Sequence, residues 1–166
     1  AFAVTVTADT SMDLLELRIN LECFAASQAA LRRTDEDIDR LEKALSAMRQ
    51  ARTAAPPIDE ASITALRELS HEFHRNVIHA THNSVLSSVY DSLYELLDIS
   101  RQFTISTSGI SADSTLAHEA IFSRIIQRDA EGASSYMSEH LSDVRVKLGE
   151  SLRESKSQNV LPNSLR

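Results

Sequence analysis

The sequence predicts an all-α protein, an antiparallel bundle of about six helices. Apolar residues recur at helical spacing in six segments of a chain of 166 residues, a length typical of one domain. The chain has only 3 Gly and 3 Pro, too few to supply the turn every 8–12 residues or so that a β-sandwich or barrel requires. Helices with apolar stripes bury them by packing around one core.

The first two predicted helices have clear ends. The first extends over residues 11–33. Thr34 is the predicted N-cap of the second, because the three residues after it are acidic and suit a first helical turn. The second helix ends at Ala54-Ala55-Pro56-Pro57, since proline cannot continue a helix.

The next helices are predicted from their caps and apolar stripes. The third covers residues 59–81, and Asn83 is the predicted N-cap of the fourth, which carries apolar residues as far as Leu97. A loop of Ser, Thr and Gly over 104–111 precedes the fifth helix, over 113–127.

The sixth helix is predicted over residues 129–154, so the helical domain covers 11–154. Residues 155–166 are polar and are predicted to be a flexible tail. Residues 1–10 are predicted to be a linker, and the absence of an initiator Met suggests that the chain is part of a longer protein.

Composition excludes several classes of protein. The net charge of −7 disfavours binding of nucleic acid by this chain itself, because phosphate contacts dominate that affinity. No run of about 18 apolar residues could span a membrane. Cys23 is the only cysteine, so a disulfide framework is excluded and a reducing compartment, the cytoplasm, is expected.

The first helix places a charged pair inside an apolar face. One stripe consists of Leu14, Leu17, Leu21 and Phe24, and a second of Leu15, Ile19 and Ala26. Arg18 and Glu22 fall between the two stripes, one turn apart. They could form a structural ion pair, or Arg18 could bind an anion in a cavity.

Three histidines also lie within apolar arcs. His74 on the third helix, His118 on the fifth and His140 on the sixth are predicted to point inward. Ser70 precedes His74 by one turn, and Arg101 lies on the apolar line of the fourth helix. A lone buried histidine is usually satisfied by a backbone carbonyl, but three on separate helices could converge on one divalent metal ion. Periodicity gives their direction and not their depth, so both interpretations stay open.

Other histidines carry weaker signals. His71-Glu72-Phe73-His74 lacks the spacing of a zincin motif, and His79 and His82 are predicted to face solvent. A metal-dependent helical enzyme, a hydrolase or lyase, is an alternative, since three histidines leave open positions on a zinc ion. Only Glu22 or Glu72 could then act as general base. An interaction module without a ligand is a third hypothesis.

Several short motifs, in order, resemble one family. They are Asp13-Leu14-Leu15-Glu16-Leu17-Arg18, Thr34-Asp35-Glu36-Asp37-Ile38, Phe73-His74, Ala80-Thr81-His82-Asn83, His118-Glu119-Ala120-Ile121 and Met137-x-x-His140-Leu141. From Asp13 to Leu148 the chain resembles the FCD domain, the effector-binding C-terminal domain of the FadR subfamily of GntR-type bacterial transcription regulators.

The resemblance implies a fold with an internal cavity and a site for a divalent metal ion, zinc or nickel. The family's three histidine ligands match His74, His118 and His140, but its aspartate ligand is replaced by Ser70, so the site would consist of three neutral imidazoles and would leave the charge of the ion uncompensated by the protein. Arg18 resembles a clamp for an effector carboxylate, and Ser70 and Arg101 are predicted to line the same site.

The resemblance also implies the partners. The expected effector is a small organic or sugar acid, and DNA would be bound only by an N-terminal winged-helix domain that this chain lacks. A homodimer is expected, no membrane is involved, and the chain is expected to be a sensor and not an enzyme.

Overall fold

The computed structural model describes residues 8–53, 60–93 and 112–158, and six helices lie within these ranges. The helices are α1 (Ala8–Arg32), α2 (Asp35–Thr53), α3 (Glu60–His79), α4 (Ser84–Ser92), α5 (Ala112–Ile126) and α6 (Ala130–Gln158). The fold is an all-α bundle, as predicted.

Two ends differ from the prediction by several residues. Helix α1 begins at Ala8, three residues before the predicted start. Ser11 is fully buried, which shows that packing already holds the first turns in place. Helix α6 extends to Gln158, into the predicted tail, because Glu, Lys and Gln favour helix and no proline interrupts them there.

Some predictions fall outside the described residues. Residues 1–7 of the predicted linker lie outside the described residues. So does the segment 54–57, whose prolines were predicted to end the second helix. Leu97, Arg101 and the loop at 104–111 also lie outside, as do residues 159–166.

Helix α1 lies at the centre of the packing. It contacts α6 along much of its length and also touches α3 and α5, while α2 packs on α3 and α5. Four alanines on α1 are fully buried, namely Ala25, Ala26, Ala29 and Ala30. Their small side chains allow neighbouring helices to approach α1 closely. Elsewhere in the bundle, the short connection from α5 to α6 makes those two helices antiparallel neighbours.

The predicted caps are present at two helix starts. Thr34 caps α2: its Oγ1 accepts from the backbone N–H of Asp37 at 3.3 Å, and Oδ2 of Asp37 accepts from the N–H of Thr34 at 2.8 Å. This reciprocal pair is a capping box. Asn83 caps α4, since its side-chain oxygen accepts from the N–H of Leu86 at 3.1 Å.

The surface of α1 departs from the prediction. Leu17 is 41% exposed and Phe24 is 50% exposed, although the apolar stripe was expected to face the core. Periodicity shows that such residues share a face, but only the arrangement of the other helices decides whether that face is covered. None of the described helices combines the length and apolar content needed to cross a bilayer.

Candidate metal centre

Three histidines from three helices meet inside the bundle. His74 on α3, His118 on α5 and His140 on α6 are 1%, 0% and 7% exposed. Nε2 of His74 lies 3.0 Å from Nε2 of His118 and 3.3 Å from Nε2 of His140. The sequence prediction that these side chains point inward is confirmed, and the structure adds that they lie at the same depth.

The separations between the nitrogens suit a single metal ion. Two nitrogens each about 2.0–2.1 Å from one Zn²⁺ ion lie roughly 2.8–3.4 Å apart for angles at the ion between 90° and 109°. Both measured separations from His74 fall in this range, and the ligand atoms of all three histidines lie within 4.8 Å of one another. Neutral imidazole is a common ligand of such ions, so the donor set fits a divalent metal.

A buried carboxylate contacts the Nδ1 atom of His74. Oε2 of Glu22 lies 2.6 Å from Nδ1 of His74, and Glu22 is 1% exposed. This contact favours the tautomer with its proton on Nδ1, which leaves the lone pair of Nε2 directed at the other two histidines. Histidines that bind metals commonly have such a carboxylate partner, because it fixes the ring and raises its basicity.

Glu22 is also the centre of a wider polar network. Its Oε1 accepts a hydrogen bond from Nε of Arg18 at 3.0 Å and one from the hydroxyl of Tyr90 at 2.9 Å. Burial by itself lowers the pKa of Arg18, but the charge of Glu22, the electrostatic effect of Tyr90 and the hydrogen bond to Glu22 together outweigh it, so this pKa is raised above its ordinary value. The guanidinium is therefore charged, buried and neutralised by Glu22.

Helical register explains why these groups meet. Arg18 and Glu22 are four residues apart on α1 and so lie on the same face, which is the buried one. His74 follows Phe73, and the ring of Phe73 packs at 4.8 Å, centroid to centroid, against the ring of His118. This aromatic contact holds the imidazole of α5 against α3.

The other histidines and predicted site residues lie in different environments. Ser70 is half-buried on α3, one turn before His74, and Arg101 lies outside the described residues. His79 is half-exposed, as predicted. His82 is largely exposed but is not simply solvated, because its Nε2 lies 2.7 Å from Oδ2 of Asp37.

Two residues near the site were missed by the sequence analysis. Tyr90 lies among the apolar residues of the fourth helix, and its ring is fully buried while its hydroxyl bonds to Glu22. His71 was considered above only for its spacing from His74, but it is 3% exposed and stacks on the ring of Tyr90. A tyrosine in an apolar stripe needs a partner for its hydroxyl, and that requirement was the available signal.

Comparison with known proteins gives consistent results. The FCD domain family matches residues 13–143 of the chain. A protein of Escherichia coli named as the regulatory protein of the L-lactate dehydrogenase operon is 30% identical over 142 residues, which cover 83% of this chain and 51% of that protein. Streptococcus agalactiae GntR is 25% identical, with a TM-score of 0.67 over 86% of this chain and 61% of that one.

Solved FCD domains share the fold. The metal-free FCD domain of one transcriptional regulator superposes with a TM-score of 0.68 at 18% identity, over 91% of this chain and 99% of that chain. The Zn²⁺-bound FCD domain of the same regulator gives a TM-score of 0.66 at 19% identity, over 90% of this chain and 98% of that chain. The chain spans about half the length of the curated relatives that it matches.

Proposed function

The chain belongs to the FCD domain family of GntR-type transcription regulators, and from this premise we propose that it senses a small acidic effector at a metal ion held by three histidines. The observation that carries the proposal is the approach of Nε2 of His118 and Nε2 of His140 to within 3.0 Å and 3.3 Å of Nε2 of His74. When bound, the metal ion would supply a Lewis-acidic centre that attracts anionic oxygen.

The charges around the site favour an acid as effector. Three neutral imidazoles contribute no charge to offset a divalent ion, and the charges of Arg18 and Glu22 cancel one another. The buried site would thus be positive by about two charges, and an uncompensated buried charge is costly. A carboxylate effector offsets that charge, whereas a neutral or cationic compound does not.

Arg18 has donors to spare for such an effector. Its contact with Glu22 uses Nε, which is one of the five N–H donors that a guanidinium carries. The two Nη groups can therefore donate to a carboxylate while the bond to Glu22 stays in place. In this scheme Arg18 orients the acid, and Glu22 keeps both Arg18 and His74 in position.

Ser70 explains why metal retention is expected to be weak. It lies one turn before His74, where a longer anionic side chain would point along the same face of α3. A neutral hydroxyl leaves the ion held by imidazoles alone, so an effector carboxylate completes the coordination. Binding of metal and binding of acid should then reinforce one another.

Contacts with four helices support a role of the site in transmitting a signal. It joins α3, α5 and α6 through the histidines and reaches α1 through Glu22, so an effector that tightens these contacts changes how four helices pack. We propose that in the whole protein, acting as a homodimer in the cytoplasm, this change alters DNA binding by a separate domain. The change can be no larger than the difference in effector affinity between the two states.

A metal-dependent enzyme is the less supported alternative. Both oxygens of Glu22 are occupied by contacts with Arg18, Tyr90 and His74. Glu72 is exposed on α3. Neither carboxylate is therefore placed to act as a general base at the metal, and the relatives named above are regulators.

Thermal unfolding of the purified chain tests the proposal. After treatment with a chelator, the chain is reloaded with Zn²⁺ or Ni²⁺ and screened against small mono- and dicarboxylic acids. An acid at 100 times its Kd should stabilise the loaded chain by about 2.7 kcal/mol, or roughly 5–11 °C in Tm. His118→Ala should lose this shift, and His79→Ala should keep it, since His79 lies outside the cluster.

The opposite results would reject the proposal. If the same acid stabilises His118→Ala as much as the unmodified chain, the acid binds elsewhere. If no acid stabilises the loaded chain more than the metal-free chain, the ion does not contribute to an effector site.

A further inference from the structure

We propose that Arg67 on α3 is a second anion-binding residue of the effector site, and that it selects acids with two carboxylates over acids with one. The inference rests on the proposed metal and effector site and narrows the class of compound that the site takes. It depends on the position of Arg67 relative to His74, on the burial of its side chain and on the relative direction of α1 and α3.

Arg67 lies on the same face of α3 as the histidine of the metal site. It precedes His74 by seven residues, so the two side chains leave the helix within about 20° of one another at 100° per residue. Ser70 and His71 occupy the turn between them on this face. Since His74 is directed at Glu22 and at the other histidines, Arg67 leaves α3 toward the same side, about 10.5 Å farther along the helix axis.

The side chain of Arg67 is largely withdrawn from solvent. It is 18% exposed, and its Nε atom is buried. By contrast, the side chain of Arg75, also on α3, is 47% exposed, and its Nε lies 2.9 Å from Oδ1 of Asp91 on the surface. A long charged side chain normally turns its charged end to water. The enclosure of Arg67 therefore places much of its guanidinium inside the bundle.

Helices α1 and α3 run in the same direction. Glu22 of α1 contacts His74 of α3. Farther along the chain from each of these residues, Nη1 of Arg32 donates to the carbonyl oxygen of Thr81 at 3.2 Å. Residue numbers thus increase together along the two helices, so residues that precede Glu22 and residues that precede His74 lie at the same end of the histidine cluster.

The two arginines therefore lie on one side of the cluster, at different distances from it. Arg18 is one turn before Glu22, about 6 Å along α1, whereas Arg67 is two turns before His74, about 10.5 Å along α3. An acid with its first carboxylate at the metal ion and Arg18 would extend its other end toward Arg67. This order of positive groups suits a compound with an anionic group at each end.

The charges of the site also favour a dianion. The ion would bring about two positive charges, and Arg67 adds another. Glu68 offsets that added charge only weakly, because its Oε1 lies 3.8 Å from Nη2 of Arg67 and its side chain is 51% exposed. A second carboxylate could accept a bidentate pair of hydrogen bonds from the guanidinium. Since a guanidinium has five N–H donors, its contacts within the protein leave room for this pair.

Calorimetric titration of the Zn²⁺-loaded chain tests the selection. Acids are compared in pairs of equal chain length, namely butyrate with succinate, pentanoate with glutarate and hexanoate with adipate. In the unmodified chain, at least one dicarboxylate should bind about tenfold or more tightly than its monocarboxylate partner. In Arg67→Gln the Kd of that dicarboxylate should rise about 10–100-fold, the range expected for hydrogen bonds between charged groups, and the Kd of the monocarboxylate should change less than about threefold.

Two further variants control for general damage. Arg75→Gln removes a surface arginine of the same helix and should leave both constants unchanged. Arg67→Lys keeps the charge but cannot form the bidentate pair, so it should retain only part of the preference. It also provides the test if Arg67→Gln does not fold. Circular dichroism and metal content should be the same in every variant that is compared.

The outcomes distinguish this inference from the proposed function. A dicarboxylate preference that persists undiminished in Arg67→Gln or Arg67→Lys would overturn the role of Arg67 and leave the effector site in place. The same conclusion would follow if Arg67→Gln weakened both acids of a pair equally, or if the unmodified chain bound each monocarboxylate as tightly as its dicarboxylate partner. Failure of every acid to bind the unmodified chain would overturn the proposed effector site as well.

Discussion

Neutralising Glu22 is the most informative single change at the site. The isosteric substitution Glu22→Gln keeps an oxygen that can accept from Tyr90 and Arg18 but removes the negative charge. The guanidinium of Arg18, 3% exposed, then stays in the interior without a counter-charge. Breaking a buried ion pair in this way costs about 3–5 kcal/mol. For a domain of this size, 3 kcal/mol corresponds to a fall in Tm of roughly 6–12 °C.

A double-mutant cycle measured by urea unfolding separates this effect from general damage. Arg18→Met alone leaves the Glu22 carboxylate buried without its cation, whereas Arg18→Met with Glu22→Gln removes both charges. The double variant should therefore be more stable than the sum of the two single changes predicts, by about 1–3 kcal/mol. Glu16→Gln, on the exposed face of the same helix, should change stability by no more than about 0.5 kcal/mol. Strict additivity of the two single changes would refute the argument.

Three further predictions concern neighbouring groups. Ser70→Asp should raise metal affinity by about tenfold or more in a chelator titration, because an anionic oxygen offsets the charge of the ion, and an unchanged titration would remove Ser70 from the site. Tyr90→Phe should cost about 1.5–3 kcal/mol in urea unfolding, because it removes a buried hydrogen bond to a charged group, and a loss below about 0.5 kcal/mol would contradict that bond. Although burial opposes it, hydrogen bonds from Thr34, Arg40 and His82 lower the pKa of Asp37 from 3.8 to about 2. The stabilisation from Asp37 is thus full above about pH 4 and is lost as pH falls toward 2. Asp37→Asn should therefore make the free energy of unfolding fall less steeply with pH in this acidic range. An unchanged slope would contradict the prediction.

The inward direction of the site residues could be predicted because helical periodicity fixes it. His74, His118 and His140 each interrupt an apolar arc, and all three are buried. Their common depth could not be predicted, since it depends on how far each helix is displaced along the bundle. That displacement is set by side-chain packing between helices, such as the contact of Phe73 with His118, and not by the pattern within any one helix.

Two polar contacts were not predictable for a different reason. The sequence places Glu22 beside Arg18 but gives no sign that its other oxygen reaches Nδ1 of His74, 52 positions along the chain. Tyr90 comes from α4 and completes the same network. Contacts between distant segments depend on the whole arrangement of helices, whereas caps such as Thr34 and Asn83 are local and were predicted correctly.

The apolar stripe on α1 was predicted to be covered, but the structure leaves it exposed. Leu17 and Phe24 share a face with Leu14, which is buried, and that pattern favoured a covered stripe. Coverage requires a neighbouring helix, and although α3, α5 and α6 all contact α1, Leu17 and Phe24 stay 41% and 50% exposed. An apolar face that the fold leaves exposed is thus visible only once the structure is known.

The metal content of the purified chain tests the central claim most directly. After dialysis against a buffered micromolar concentration of free Zn²⁺, elemental analysis should find one ion per chain in the unmodified protein and in His79→Ala. In His74→Ala it should find very little, because the shared histidine nitrogen and its link to Glu22 are both removed. Equal metal content in His74→Ala and the unmodified chain, or no uptake by the unmodified chain, would contradict the claim that the three imidazoles form one metal site.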